Sequence, residues 1–311
     1  PDAFFVQQNL MAGSPNMEGF QYKMNQPATY KYSFDVQREV LPNTSITIGA
    51  AATRGVHLIR VLSMNARLAQ EREAGLFVPT TAPFRSPEFG RLRPRYSDAT
   101  SNYYAFRMSV SRRYSNSLQF QGSYTYSKAT DDGSNWTGSS DWANSPGQAR
   151  YLNSKEKSLA AFDVRNVLSV NFTYDLPGQH LTGPVGKVIG GWQLSGILST
   201  QDGVPFTLTT GVRPAFIQNG FIGDFPDAAV GGKVKYDTRN PRGYDAATGK
   251  FGYFDTSAFH LPRGYIAADQ TALGGSYIGN LARTSLLAPG QAKLDLVLTK
   301  STNLREGIAL Q

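Results

Sequence analysis

The stretch YYAFRMSVSRRYSNSLQFQGSYTYSKA, residues 103–129, decides the fold because it contains two alternating runs joined by a tight polar turn. Side chains of a β-strand point alternately to its two faces, so the alternation gives one apolar and one polar face. Each run lasts about ten residues, whereas strands of soluble sheets usually have about five or six and a membrane-crossing strand needs roughly 9 to 11. The stretch therefore predicts a hairpin in the wall of a transmembrane β-barrel.

The composition excludes membrane helices but not membrane strands. A mean hydropathy of −0.34 would, taken alone, indicate a soluble protein. No stretch of the 311 residues approaches the roughly 18 consecutive apolar residues of a membrane helix. Any membrane span must therefore be made of strands, whose sequence signal is much weaker. The chain has no cysteine, which excludes disulfide bonds and cysteine-based zinc sites.

Similar alternation recurs along the chain and predicts about eight antiparallel strands. Beside the 103–129 hairpin, the alternating segments are 30–41, 44–53, 165–176, 192–210, 292–300 and a short run after Arg305. One parity is predicted to face lipid: Phe106, Met108, Val110, Leu118, Phe120, Leu168, Val170, Phe172, Leu294 and Leu296. The other parity supplies the predicted lumen-lining residues: Arg107, Arg113, Gln119, Gln121, Asn171 and Asp295.

The connections alternate in length, as they do in outer-membrane barrels, which have short periplasmic turns and long extracellular loops. The predicted loops are 55–102, 130–163 and 211–291. Aromatic residues cluster at both rims and predict two girdles: Tyr30, Tyr32, Tyr104, Tyr124 and Tyr126 at the long-loop rim, and Tyr174 and Trp192 at the short-turn rim. Two arginines on the apolar parity, Arg38 and Arg112, lie beside short turns, where their side chains can reach the headgroups.

The sequence pattern also fits a soluble all-β sandwich whose tyrosines pack between two sheets or face solvent. The segment from Arg54 to Arg95 adds a second open question, because it carries eight arginines against three glutamates, a net charge of +5. The positive potential could bind lipopolysaccharide phosphates or attract an anionic ligand. Alternatively, the segment is a solvated loop whose charges pair with those of neighbouring loops. The residues predicted for this basic extracellular loop are Arg60, Arg67, Arg85, Arg91, Arg93 and Arg95.

The remaining motifs indicate no catalysis, cofactor or nucleic-acid binding. The three histidines are far apart and have no metal-ligand spacing, and no Ser, His and acid set predicts a nucleophile. Asp131, Asp132 and Asp141 suit either a calcium site in the second long loop or a solvated acidic loop. The arginines and aromatic residues match no nucleic-acid-binding fold.

Several motifs together resemble the C-terminal barrel of Oar-like TonB-dependent receptors. The most specific are SYTYSK at 123–128, FDVR at 162–165 and GGWQLSG at 190–196, and the likeness extends in order over most of residues 25–301. The resemblance implies a barrel of about 22 strands in the outer membrane of a Gram-negative bacterium. It also implies an N-terminal plug, energy supplied by the TonB complex, and a ligand captured by the extracellular loops.

We expect residues 1–311 to be a fragment of one such barrel domain. Nothing in the chain resembles a secretory signal, a plug or a TonB box, and the last residues begin a new alternating run. Two functions from different classes fit the sequence. One is energy-coupled uptake of an unidentified ligand, with outer-membrane lipid and lipopolysaccharide around the barrel. The other is a surface-exposed adhesion or carbohydrate-binding β-protein without transport.

Overall fold

Seven long strands form one antiparallel sheet in the computed structural model. The strands are β1 (Ala28–Leu41), β2 (Thr44–Val61), β3 (Leu92–Ser115), β4 (Leu118–Asp131), β5 (Asn166–Asp175), β6 (Trp192–Gln201) and β7 (Gln291–Lys300). Each pairs with its neighbours in sequence, so the sheet is an up-and-down meander with β1 and β7 at its edges. The structure describes residues 17–61, 64–65, 67–73, 75–79, 81–90, 92–134, 157–178, 183–209, 225–228, 234, 236, 244–245, 250–262, 275–305 and 308–310.

Short elements lie in the connections between the long strands. The short strands are Met17–Phe20, Gln70–Arg72, Gly75–Pro79, Ser158–Leu159, Pro205–Phe206, Asp227–Ala228, Tyr244–Asp245, Lys250–Phe251, Phe259–His260, Gly275–Tyr277, Leu286–Leu287, Thr302–Arg305 and Ile308–Leu310. One α-helix, α1 (Gly183–Ile189), precedes β6, and a 3₁₀ turn covers Thr256–Ala258. No helix in the described part of the chain is long and apolar enough to span a membrane.

The register aligns the apolar parity of all seven strands on a single face. One hydrogen-bonded row runs Ile46, Val110, Gly122, Val170, Leu198 and Leu294, and other rows repeat this alignment. A one-residue slip at any strand would move its apolar side chains to the opposite face. The alternation in the sequence therefore specifies the pairing as well as the strands.

The apolar face of the sheet is exposed. Phe34 is 72% exposed and Leu296 is 56% exposed, although both lie in the interior of long strands. A sandwich would bury such residues against a second sheet. The sandwich interpretation therefore does not fit the described residues, and the all-β antiparallel sheet predicted for a barrel wall is confirmed.

Tight turns at one end of the strands connect the strands of two hairpins. The β1–β2 turn places Asn43 at φ 61°, and the β3–β4 turn places Asn116 and Ser117 at φ 50° and 65°. Consecutive positive φ values match the right-handed twist of a two-residue hairpin, and asparagine tolerates them best among non-glycine residues. These are the short connections that the sequence predicts.

The first predicted loop is shorter than the sequence indicates. β2 continues to Val61 and β3 begins at Leu92, so both strands extend well beyond the predicted ends at 53 and 103. The hydrogen-bonded pairing of β2 with β3 continues beyond the residues that alternate regularly. Leu58, Arg60 and Val61 still pair with β3, across two register shifts. Conversely, β6 ends at Gln201 and does not continue to 210; Pro205–Phe206 pairs instead with Leu286–Leu287.

Candidate functional site

The polar face of the sheet carries a band of small hydroxyl side chains. We call the following residues the hydroxyl band: Ser45, Thr47, Ser109, Ser111, Ser123, Ser169 and Ser199. Two adjacent hydrogen-bonded rows hold them, and the rows continue through Gln121 and Asn171. The band crosses five strands, β2 to β6, with no charged residue inside it. Because its side chains are short, the hydroxyl band offers many hydrogen-bond donors and acceptors close to the backbone of the sheet.

One ion pair lies beside the hydroxyl band. Asp35 and Arg107 are held at 3.0 Å, with Gly49 of the intervening strand between them. A Cβ on Gly49 would lie 1.8 Å from Oδ1 of Asp35 and 2.9 Å from the Phe34 carbonyl oxygen. The missing side chain of Gly49 therefore leaves the space through which the Asp35 carboxylate contacts the Arg107 guanidinium across β2. The two side chains are nearly half exposed, so the pair adds little stability, about 0.2–1 kcal/mol.

We predict that Gly49→Ala destabilises the sheet because the new methyl group displaces the Asp35 carboxylate. The expected loss is about 1 kcal/mol, the scale of one exposed ion pair together with local backbone adjustment. In an Asp35→Ala background the same change is expected to cost less, because only the contact with the Phe34 carbonyl oxygen stays. Urea unfolding of the four variants measures this coupling. Equal effects of Gly49→Ala in both backgrounds would show that Asp35 does not occupy this space.

The predicted lumen-lining residues all lie on the polar face, but they do not form one site. Gln119, Asn171 and Asp295 line a shallow depression of about 300 Å³. Arg113 lines a different depression, of about 550 Å³, near the short turns. Gln121 lies in a row with Asn171 beside the hydroxyl band. Asp295 contacts Lys293 at 2.7 Å.

Two apolar residues on the polar face were not predicted from the sequence. Ile197 and Val297 are 54% and 58% exposed and line the same depression as Asp295. The sequence signal was present, because both residues have the parity of Ser195 and Ser199. They give this part of the polar face an apolar patch about two residues wide.

The residues predicted to face lipid all lie on the apolar face. Their strand partners share that face, as in the row Phe120, Phe172, Gly196 and Leu296. Gly196 is required there, because a Cβ would lie 2.7 Å from both the Phe172 ring and the Leu296 side chain. The Phe172 ring thus covers the glycine, a packing that compensates for its missing side chain.

The aromatic residues predicted for the girdles occupy the two ends of the apolar face. Tyr30, Tyr32, Tyr104 and Tyr126 lie toward the long loops, and Tyr124 donates to Oδ1 of Asn166 at 2.6 Å. At the other end Tyr174 pairs with Leu118, and Trp192 donates to the Val188 carbonyl oxygen at 2.9 Å. The Lys300 ammonium lies 5.3 Å from the Trp192 ring and 2.6 Å from the Gly190 carbonyl oxygen.

The predicted basic loop needs correction, because half of its arginines belong to strands. Arg60 lies in β2, and Arg93 and Arg95 lie in β3. Arg60 is buried and binds Asp98 at 2.7 Å, while Arg95 contacts Glu18 at 3.5 Å.

Two of the six predicted arginines lie in the connection itself and are described. Arg67 donates to the Ala82 carbonyl oxygen at 2.5 Å and lies 4.5 Å from the centre of the Phe84 ring. Arg85 is exposed. Arg91 lies outside the described residues, as does the side chain of Arg93. Three of the six predicted arginines, Arg60, Arg67 and Arg95, thus make internal contacts.

A buried ion pair joins the last long loop to the sheet. Arg283, 1% exposed, donates through Nη2 to Oδ1 of Asp131 at 2.5 Å and to its carbonyl oxygen at 2.9 Å. Its Nη1 donates to Ser134 at 3.0 Å, and the adjacent Thr284 donates to the Leu159 carbonyl oxygen at 2.5 Å. We call Asp131, Ser134, Arg283 and Thr284 the loop latch.

The loop latch also bears on the calcium interpretation of the second loop. Asp131 is held by Arg283, and Asp132 accepts two hydrogen bonds from Thr100, both at 2.7 Å. These two carboxylates are therefore structural and not a solvated acidic loop, and Asp141 lies outside the described residues. Within the described ranges, no group of three or more His, Asp or Glu residues is placed to hold a metal ion.

Aromatic residues form a small core in the last long loop. Phe254 lies 6.0 Å from Phe206 and 6.1 Å from Phe259, and Tyr236 lies 5.4 Å from Tyr253 between ring centres. Burial, followed by the neighbouring Tyr236, raises the pKa of Tyr253 above its ordinary value. A 3₁₀ turn separates Phe254 from Phe259 in this core, and Asp255 begins the turn by accepting a hydrogen bond from the Ser257 amide at 3.0 Å.

A meander of long strands with one exposed apolar face and one polar face defines a membrane β-barrel wall. Lipid offers no hydrogen bonds to the backbone, so strands cross a membrane only as part of a closed barrel. The family model described as "Outer membrane beta barrel domain" matches residues 3–311, and the chain belongs to that family. The protein is accordingly a protein of the outer membrane.

The solved structures include one similar fold, the outer membrane transporter YddB from Escherichia coli. The sequences are 10% identical, the TM-score is 0.38, and the similarity covers 62% of this chain and 23% of YddB. This chain therefore spans less than a quarter of the transporter that it matches. The search of curated proteins found no match.

Proposed function

We propose that this chain forms part of the barrel of an Oar-like TonB-dependent receptor, which takes up a ligand across the outer membrane with energy from the TonB complex. The observation that carries the proposal is the hydroxyl band. A barrel of about 22 strands has a lumen that a plug fills. Small neutral hydroxyl groups on the barrel wall allow a hydrated contact with such a plug. Water-mediated hydrogen bonds keep the wall and the plug in contact and still allow the plug to rearrange.

In this proposal the two faces of the sheet have different partners. The apolar face contacts acyl chains, with the tyrosines of the long-loop end and Trp192 at the two interfaces. The polar face, with Arg107, Gln121 and Asn171, lines the lumen against the plug. The long loops, held to the rim by the loop latch, contact lipopolysaccharide and capture an extracellular ligand. No residue carries out covalent chemistry, because transport needs only rearrangement of the plug.

The proposal is tested with the full-length protein and the purified periplasmic domain of TonB. We expect the two to bind each other, and we expect deletion of the segment before the plug to abolish binding. The deletion variant also serves as the control for non-specific association. A full-length protein that folds in the outer membrane and does not bind TonB would contradict energy-coupled uptake.

Surface adhesion or carbohydrate binding is the second candidate function. The partly exposed Tyr236 and Tyr253 of the last long loop favour it, because an aromatic side chain can pack its ring against the apolar face of a sugar. This function predicts that a strain lacking the gene loses attachment to polysaccharide and keeps normal growth on limiting nutrients. The transport function predicts the reverse pattern.

A further inference from the structure

We propose that the apolar face holds one glycerophospholipid of the periplasmic leaflet in a defined site. One acyl chain lies in a groove above β2, and the phosphate binds Arg38. The inference rests on the orientation proposed above, in which the short turns face the periplasm. It does not depend on transport.

Ile46 and Ile48 of β2 line the part of this groove nearest to Arg38, and Ala50 and Ala52 form its floor further from the turn, between aromatic residues of the flanking strands. Ala50 pairs with Phe34 on one side and Phe106 on the other, and Ala52 pairs in the same way with Tyr32 and Tyr104. Neighbouring strands are about 4.8 Å apart, so each pair of aromatic residues belongs to backbones about 10 Å apart. The space above the two alanines has the width of one hydrocarbon chain between two rings.

The groove is long enough for an acyl chain. One depression, of about 560 Å³, runs from Arg38 past Ile46 to Ala50. A second, of about 540 Å³, shares Phe34, Ala50 and Phe106 with the first and continues past Ala52. From Ile46 to Ala52 the strand rises about 20 Å, which at a tilt of about 45° is about 14 Å along the bilayer normal, close to the roughly 15 Å of one leaflet of the hydrocarbon core. The groove thus has about the length of one leaflet, and its far end lies between Tyr32 and Tyr104, toward the long loops.

Arg38 gives the groove a charged end. It lies on the apolar face, four residues before the β1–β2 turn, and lines the first depression. Its side chain makes no hydrogen bond or ion pair within the described part of the chain, although its neighbour Glu39 on the opposite face accepts from the Asn43 amide. A guanidinium at the end of an apolar groove matches a phosphate, which it binds through two parallel hydrogen bonds.

A second arginine broadens the positive end of the groove. Arg112 of β3 pairs with Thr44 near the same turn and shares the apolar face with Arg38. Its Nε is buried and has no hydrogen-bond partner, and its Nη2 reaches the Ser115 carbonyl oxygen at only 3.5 Å. The described residues therefore place two cations, and no carboxylate, on the apolar face at the short-turn end of β1 to β3.

Native mass spectrometry of the full-length protein in detergent, titrated with phosphatidylglycerol, tests the site. We expect one tightly retained lipid on the unmodified protein. Ala50→Phe fills the groove and Arg38→Gln removes the phosphate contact, and each is expected to weaken retention about tenfold, the effect of losing one charge-assisted contact or its equivalent. Two matched controls are expected to retain the lipid: Ala292→Phe, the same change elsewhere on the apolar face, and Arg113→Gln, on the polar face.

Three results would overturn the inference. Unchanged retention in Ala50→Phe would show that no acyl chain lies in the groove. Equal loss in Arg113→Gln would show that the charge effect is not local to the apolar face. Retention of lipid A in place of glycerophospholipid would show that the short turns face the opposite leaflet. Since none of these measurements involves TonB, each outcome is distinguishable from a failure of the proposed transport function.

Discussion

Val170→Arg is expected to lower the free energy of unfolding in a bilayer by about 2–4 kcal/mol, the cost of a charge on the lipid side of a barrel near the midplane. Val170 lies at the centre of the ten-residue strand β5. Its row continues through Gly122, Leu198 and Leu294, so no polar partner lies beside it on the apolar face. The new guanidinium is too far from either rim to reach the headgroups without cost.

The adjacent change Asn171→Arg is the matched control. Asn171 is exposed and lies beside Gln121 on the polar face. We expect this substitution to change the stability by less than about 0.5 kcal/mol, as for most surface substitutions. Urea unfolding of the full-length protein in vesicles measures both values. Equal costs for the two substitutions would contradict the assignment of one face to lipid and the other to the lumen.

Arg283→Met is expected to cost about 3–5 kcal/mol because it leaves the Asp131 carboxylate buried without its partner. The two groups are almost fully buried, with side-chain exposures of 2% and 5%, and lie 2.5 Å apart. Because Arg283 also binds Ser134, its loss is expected to free the last long loop from the sheet. Hydrogen exchange of residues 281–288, together with urea unfolding, measures the local and the global effect.

The exposed pair formed by Asp35 and Arg107 is the control for the buried pair. Arg107→Met is expected to cost at most about 1 kcal/mol, because water screens a half-exposed pair. In the double variant Asp131→Asn with Arg283→Met, much of the stability should return, since no unpaired charge stays buried. If the double variant is as unstable as Arg283→Met, the loop latch does not depend on the ion pair.

Strand pairing was predictable from the sequence, because the alternation assigns each side chain to a face and only registers that keep the apolar side chains on one face are allowed. Once Phe106, Val170 and Leu294 are assigned to one face, each strand can pair with its neighbour in a single parity. The short turns were also predictable, since the Asn43 and Asn116 positions favour positive φ. The strand ends were not, because β2 and β3 extend past the alternating region through paired but irregular residues.

The loop contacts could not be read from the sequence. Arg283 and Asp131 are 152 residues apart, and nothing in the local pattern of either segment indicates a partner at that distance. The basic segment between Arg54 and Arg95 suggested a charged surface, yet Arg60 is buried against Asp98. Composition gives the charge of a segment, whereas the pairing of each charge depends on the tertiary fold.

The measurement that tests the central claim most directly is the accessibility of spin labels along β5 of the full-length protein in a bilayer. The chain has no cysteine, so a cysteine introduced at any position of 166–175 is unique within it. We predict that labels at Leu168, Val170 and Phe172 collide mainly with lipid-soluble oxygen, and that labels at Ser169, Asn171 and Thr173 collide mainly with a water-soluble nickel chelate. Accessibility without this two-residue period would contradict the account of β5 as a membrane-spanning strand of an outer-membrane barrel.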